Sequence, residues 1–65
     1  MQQEIADRIG RGEGYALIAQ GVHISERTVR HHVVAIDRKL PFVNATTPYR
    51  RIMIWVNARA RATGN

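Results

Sequence analysis

Residues 15–40 constrain the fold more than any other part of the chain, because they hold two helical segments with only a short turn between them. Residues 15–21 contain several good helix formers, and Gly21 predicts where that helix stops. Ser25 predicts the N-cap of the next helix, since its hydroxyl can accept a hydrogen bond from the backbone N–H of Thr28. The segment is therefore predicted to form a helix, a tight turn and a second helix.

The second of these helices is predicted over residues 25–40, with Pro41 ending it. Its apolar residues recur at helical spacing and predict a buried stripe of Val29, Val33, Ile36 and Leu40. The opposite face carries Arg27, Arg30, His31, Val34 and Arg38. The pattern predicts a helix that buries one side and presents positive charge on the other.

A short amphipathic helix is predicted near the start of the chain. Ile5 and Ile9 lie four residues apart among polar neighbours, which is typical of a helix over about residues 2–10. We expect this helix to be broken by a linker that contains three alternating glycines, Gly10, Gly12 and Gly14.

A fourth helix is predicted to follow Thr47, a suitable N-cap, with Pro48 in its first turn, and to run to about residue 62. Residues 52–56 are all apolar, which is more apolar surface than a small core can cover, so we expect some of them to meet a partner or solvent. No segment alternates as a strand does. The chain is therefore predicted to be one all-α domain over residues 1–65, with four helices and a central helix-turn-helix.

The charge of the chain is unevenly distributed. Ten Lys and Arg residues stand against five Asp and Glu residues, for a formal charge of +5. Residues 26–65 hold eight of the basic residues and only two acidic ones, Glu26 and Asp37. A focused basic surface indicates a polyanionic partner, and nucleic acid is favoured over a membrane because no segment is long and apolar enough to insert.

Several function classes are disfavoured by the composition. The chain has no cysteine, so disulfides and cysteine-based zinc sites are excluded, and a chain of 65 residues is then expected to have modest stability or to self-associate. His31 and His32 are adjacent and would point about 100° apart on a helix, so no metal site is expected. No catalytic constellation, cofactor site or small-molecule site is evident, and we predict that the protein is not an enzyme. The N-terminus does not resemble a secretory signal, and we expect a cytoplasmic protein.

The segment from Ile18 to Leu40 resembles the C-terminal DNA-binding domain of LuxR/FixJ-type (GerE-like) regulators, and the resemblance covers about residues 10–56. Its most specific parts are Ile18-Ala19, Ile24-Ser25, Thr28-Val29-Arg30, His32 and Arg38-Lys39-Leu40, with Asn44 and Thr46 also at similar positions. The resemblance implies a four-helix fold with a central helix-turn-helix that binds double-stranded DNA. Members of this family usually carry a sensory or receiver domain as well, so this chain would be a standalone member.

The resemblance implies that Arg30, His31 and Val34 meet base edges in the major groove. Their chemistry fits this role, because arginine can donate two hydrogen bonds to guanine O6 and N7 and valine can contact a thymine methyl. Histidine can donate or accept a hydrogen bond at a base edge.

The resemblance also places residues against the sugar-phosphate backbone. Thr28, His32 and Lys39 occupy positions that in the family contact the backbone or support the fold. From their charge, Arg27, Arg38 and Lys39 are expected to hold phosphates, which sets affinity and register without reading sequence.

The family commonly pairs through its fourth helix, which implies that Ile52, Trp55 and Val56 contact a second copy. Two residues depart from the family pattern. Leu17 replaces a usual acidic residue, and His23 stands where glycine usually makes the turn, although histidine tolerates a positive φ better than most residues.

The predicted function is a sequence-specific transcriptional regulator that binds double-stranded DNA as a homodimer. Two alternatives remain open. One is a small phage or mobile-element protein that binds a host regulator or the transcription machinery through its C-terminal helix. The other is the DNA-binding factor of a recombination system, which shares the same chemistry.

Overall fold

The computed structural model describes residues 1–64, with side chains described through residue 62. Within these residues there are four α-helices and no strand: α1 (Gln2–Gly10), α2 (Tyr15–Val22), α3 (Glu26–Arg38) and α4 (Pro48–Gly64). α1 and α3 each pack against all three other helices. The predicted all-α architecture is confirmed. None of the described helices combines the length and the apolar character needed to cross a membrane.

The glycines after Ile9 serve two different purposes. Gly10 is still helical, as the last residue of α1, and a Cβ at this position would lie only 2.6 Å from Cγ1 of Val56. The missing side chain therefore lets α1 approach α4 closely. Gly12 has a φ of 86°, which L side chains rarely adopt, and the chain reverses there towards α2.

The turn between α2 and α3 differs from the predicted stop at Gly21. α2 continues to Val22, and the left-handed C-cap is His23, with φ 61° and ψ 44°. The backbone N–H of Ile24 donates to the carbonyl of Ala19 over 3.1 Å, which satisfies one carbonyl at the end of the helix. A histidine thus occupies the position where helices most often use glycine.

The start of α3 is the predicted one. Ser25 is the N-cap, and its Oγ accepts a hydrogen bond of 3.1 Å from the backbone N–H of Thr28. α3 ends at Arg38, with Lys39 as C-cap, which is earlier than the predicted end at residue 40.

All four helices contribute to one small core. Ala19 is 8% exposed, so a small side chain lies where α2 packs against the rest of the domain. The fully or nearly fully buried side chains are Ile5, Ile9, Ile18, Ala19, Val29, Val33, Ile36 and Ile52. Leu40, predicted as part of this stripe, is only partly buried and packs at its margin.

The prediction that Ile52 contacts a second copy is wrong, because its side chain is 0% exposed within the monomer. Residues spaced three and four apart on α4 share one face, and that face meets the core through Tyr49, Ile52, Met53 and Val56. Ile54 points away from it and is 41% exposed. The excess apolar surface of α4 therefore lies on a different side from Ile52.

The connection between α3 and α4 is tied down by Arg51. Its Nε and Nη2 donate to the two carboxylate oxygens of Asp37 over 2.7 and 2.8 Å, and its Nη1 donates to the carbonyl of Ala45 over 2.9 Å. Paired hydrogen bonds of this kind are directional as well as strong. The Arg51 clamp, formed by Asp37, Ala45 and Arg51, fixes α4 against α3.

The start of α4 is capped as predicted, by Thr47 Oγ1 accepting a hydrogen bond from the backbone N–H of Arg50 over 3.2 Å.

Candidate nucleic-acid interface

The side of α3 opposite the core is an exposed ridge. At about 100° per residue, positions 27, 31, 34 and 38 follow one line along the helix. Arg27, His31, Val34 and Arg38 on that line are all exposed, with Val34 at 44%. The ridge therefore combines two guanidinium groups, an imidazole and an apolar contact point on a helix whose opposite side is packed into the core.

Arg30 lies at the edge of this ridge, on the side of α2. Its side chain is exposed, and its guanidinium carbon stands 5.5 Å from the centre of the Tyr15 ring. A cation at this distance from an aromatic ring is attracted by the negative charge of its face. The sequence pattern gave no sign of this contact, because Tyr15 belongs to another helix.

Tyr15 is itself held by a second aromatic residue. The rings of Tyr15 and Tyr49 meet edge to face, with centroids 5.5 Å apart and planes at 81°, a favoured geometry for aromatic pairs. The hydroxyl of Tyr49 donates to the backbone carbonyl of Glu13. Burial raises the pKa of the Tyr49 hydroxyl, which keeps it protonated as a donor. Residues from α2 and α4 thus build the support beneath Arg30.

The other edge of α3 faces α1. Thr28 Oγ1 lies 2.9 Å from Ser25 Oγ, so its hydroxyl takes part in the cap of the helix. His32 is partly buried, and Lys39 is exposed with its Nζ donating to Gln2 Oε1 over 3.0 Å. Thr28 and His32 are therefore placed to support the fold as much as to contact a ligand, whereas the ammonium of Lys39 lies at the surface.

The acidic residues of α3 do little to cancel this positive charge. The carboxylate of Asp37 is turned towards α4, where hydrogen bonding from Arg51 lowers its pKa below the ordinary value. Glu26 lies in the first turn of the helix, where a negative charge is favourable to the helix dipole. The ridge that holds Arg27 and Arg38, with Arg30 at one edge and Lys39 at the other, therefore remains basic.

A groove of about 520 Å³ lies next to Lys39, between α1, the end of α3 and α4, and Lys39 is one of its lining residues. Its apolar lining includes Ile36, Leu40, Trp55 and Val56. The guanidinium carbon of Arg59 lies 4.8 Å from the centre of the Trp55 ring. Trp55 and Val56 are partly exposed here, so of the three residues predicted for a dimer contact these two remain accessible.

Among the described residues, no group of three or more His, Asp and Glu side chains is placed to hold a metal ion.

Comparisons with models of protein families, with curated proteins and with solved structures found no match. The resemblance of residues 18–40 to LuxR/FixJ-type domains therefore stays a prediction.

Proposed function

We propose that this protein is a sequence-specific DNA-binding regulator that inserts α3 into the major groove of double-stranded DNA. The observation that carries the proposal is the exposed ridge of Arg27, His31, Val34 and Arg38, which stands opposite the core and has no acidic residue on its line. A major groove is about 12 Å wide and admits one α-helix. A basic, exposed helix joined to its neighbour by a tight turn suits that groove.

The residues divide by chemistry into two groups. Arg30, His31 and Val34 are assigned to base edges, because they carry the donors, the acceptor and the apolar group that such edges recognise. A second group is assigned to the sugar-phosphate backbone by charge or position: Arg27, Thr28, His32, Arg38 and Lys39. We also propose that the protein is located in the cytoplasm.

Self-association is proposed through the groove beside α4 rather than through Ile52. Trp55 and Val56 line this groove and are accessible to a second copy. A two-fold dimer would place two copies of α3 in successive major grooves, about 34 Å apart. Sedimentation velocity of the protein with and without DNA measures the stoichiometry directly.

Selection of bound duplexes from a random DNA pool tests the proposed function. We expect an enriched inverted repeat that is bound roughly 10³-fold or more tighter than scrambled DNA at the same salt concentration. No enrichment would overturn the proposal, and so would binding that is uniform across sequences and lost with salt.

Two variants then separate base reading from phosphate binding. Arg30→Ala should cost about 1–3 kcal/mol on the selected site and relax the preference at one base pair, because a bidentate contact is lost. Lys39→Ala should weaken binding to selected and scrambled DNA alike and reduce its salt dependence. Equal losses on both DNAs for Arg30→Ala would remove Arg30 from the base-reading group.

A protein-binding role is the second candidate, and the exposed apolar residues favour it. Phe42 is 91% exposed in the connection after α3, and Ile54 is exposed on α4. Contiguous exposed apolar patches, unlike single exposed residues, often mark contacts with another protein, and Phe42 lines a second groove together with Leu40, Pro41 and Val43. A protein that stays monomeric, selects no DNA sequence and loses binding to a regulator or polymerase subunit on Phe42→Ser would support this candidate instead.

A further inference from the structure

We propose that Tyr15 is a positioning residue for base recognition, which holds Arg30 in the conformation that reads a guanine. This role depends on the proposed DNA binding, and it assigns a task to a residue that itself touches no base. Tyr49 is the second member of the arrangement, because it fixes the ring of Tyr15. We call these three residues the Arg30 stack: Arg30, Tyr15 and Tyr49.

The Arg30 stack joins three helices. Arg30 belongs to α3, Tyr15 is the first residue of α2, and Tyr49 lies in the first turn of α4. The guanidinium carbon of Arg30 is 5.5 Å from the Tyr15 ring centre, and the Tyr15 ring meets Tyr49 edge to face at the same distance between centroids. The hydrogen bond from Tyr49 to the carbonyl of Glu13 anchors the far end. A side chain that would otherwise be free at the surface is thus supported from within the fold.

The contact with Tyr15 leaves the donors of Arg30 available. It is made by the guanidinium carbon, 5.5 Å from the ring centre, and the five N–H groups lie in the plane of the guanidinium, where they can reach other acceptors. Ion pairs in the described part of the chain involve Arg8, Arg11 and Arg51, and none involves Arg30. The guanidinium is therefore oriented by a neutral ring and keeps the fork of donors that matches guanine O6 and N7.

The benefit of this arrangement lies in conformational entropy. Arginine has one of the largest side-chain entropies to lose when it is immobilised. A side chain already held near its bound conformation loses less on binding, which improves affinity without adding a contact. Because the gain is made only where Arg30 bonds to a base, it should appear on the specific site and not on random DNA.

The matched variants are Tyr15→Phe and Tyr15→Leu. Phenylalanine keeps the ring, whereas leucine keeps an apolar side chain but removes the aromatic face. On the duplex selected from the random pool, Tyr15→Leu should weaken binding about two- to fivefold, the range of an exposed cation–π contact. Tyr15→Phe should stay within about twofold of the parent, and both variants should bind scrambled duplex as the parent does. Thermal unfolding of each variant checks that it is folded.

A double-mutant cycle with Arg30→Ala shows whether Tyr15 acts through Arg30. If it does, Tyr15→Leu has no further effect on binding once Arg30 is alanine. Equal losses on selected and scrambled DNA, an undiminished loss in the Arg30→Ala background, or tighter binding by Tyr15→Leu would each overturn the proposal. The last outcome would mean that the ring withholds Arg30 from DNA.

A second readout needs no DNA. The ring current of Tyr15 should shift the NMR signals of the Arg30 side-chain protons in the free protein, and this shift should vanish in Tyr15→Leu and persist in Tyr15→Phe. If the shift is present and the pool yields no selected sequence, the proposed function has failed and the base-reading role fails with it. If a sequence is selected but the cycle shows no coupling, only the role of Tyr15 is overturned.

Discussion

Replacing Gly10 with alanine should destabilise the domain, although glycine is a poor helix former. Replacing a glycine with alanine reduces the flexibility of the unfolded chain. This raises the free energy of unfolding by about 0.4–1 kcal/mol where the new side chain fits without strain. Here the new Cβ would lie 2.6 Å from Cγ1 and 3.2 Å from Cβ of Val56. Valine is stiff at χ1 and cannot swing aside freely, so helices α1 and α4 must separate, and overpacking of this kind costs about 1–3 kcal/mol.

The net effect expected for Gly10→Ala is a loss of about 1–2 kcal/mol in the free energy of unfolding. For a domain of this size that corresponds to a fall in Tm of roughly 4–16 °C, measured by circular dichroism. In the Val56→Ala background the loss should largely disappear, because the atom that the new Cβ meets has been removed.

Gly21→Ala is the matched control. A Cβ on Gly21 would meet only the guanidinium end of Arg8. That group is paired with Glu4 and Glu13, but partly exposed ion pairs contribute little to stability, so the end of the side chain can move at small cost. We expect a change within about 0.5 kcal/mol. A Gly10→Ala variant as stable as the parent, or a Val56→Ala background that leaves its cost unchanged, would refute the close approach of α1 and α4.

Two further predictions concern His23 and Asp37. His23→Gly should raise the free energy of unfolding by about 0.5–1 kcal/mol, because glycine adopts the left-handed C-cap without the penalty of a side chain; a Tm equal to or below that of the parent would contradict this. Asp37 has its pKa lowered by Arg51 from an ordinary value of 3.8, so its ionised form stabilises the fold above that value and the contribution is lost as the pH falls below it. Asp37→Asn should therefore be less stable than the parent at pH 7, and the difference should shrink below about pH 4 in urea titrations at several pH values. A constant difference across that range would mean that the ion pair does not contribute.

The features predicted correctly from the sequence are those with local causes. A serine or threonine one residue before a helix identifies the cap because the bond it makes spans only three residues, and both Ser25 and Thr47 form this bond. The core stripe of α3 followed from spacing alone, since an apolar residue every three or four positions must share a face. The basic ridge opposite it followed from the same geometry.

The features that were missed have causes distant in the sequence. Gly21 looked like a helix stop, but the chain reverses at His23, whose N-terminal neighbour Val22 packs against the core. An apolar residue is expected at the position of Ile52 whether it packs into the core of its own chain or against a second copy. The sequence alone therefore could not distinguish the two. The contact of Arg30 with Tyr15 joins residues 15 positions apart and depends on how α2 crosses α3.

The Arg51 clamp has a consequence for the architecture of a DNA site. If two copies associate beside α4, the distance between their two α3 helices is set by the angle at which α4 leaves α3, and that angle is held by Asp37 and Ala45. The number of base pairs between half-sites would then be encoded in a salt bridge that touches no DNA. Base preference and half-site spacing would then depend on different residues of this chain, so substitutions could change either property while the other stayed constant.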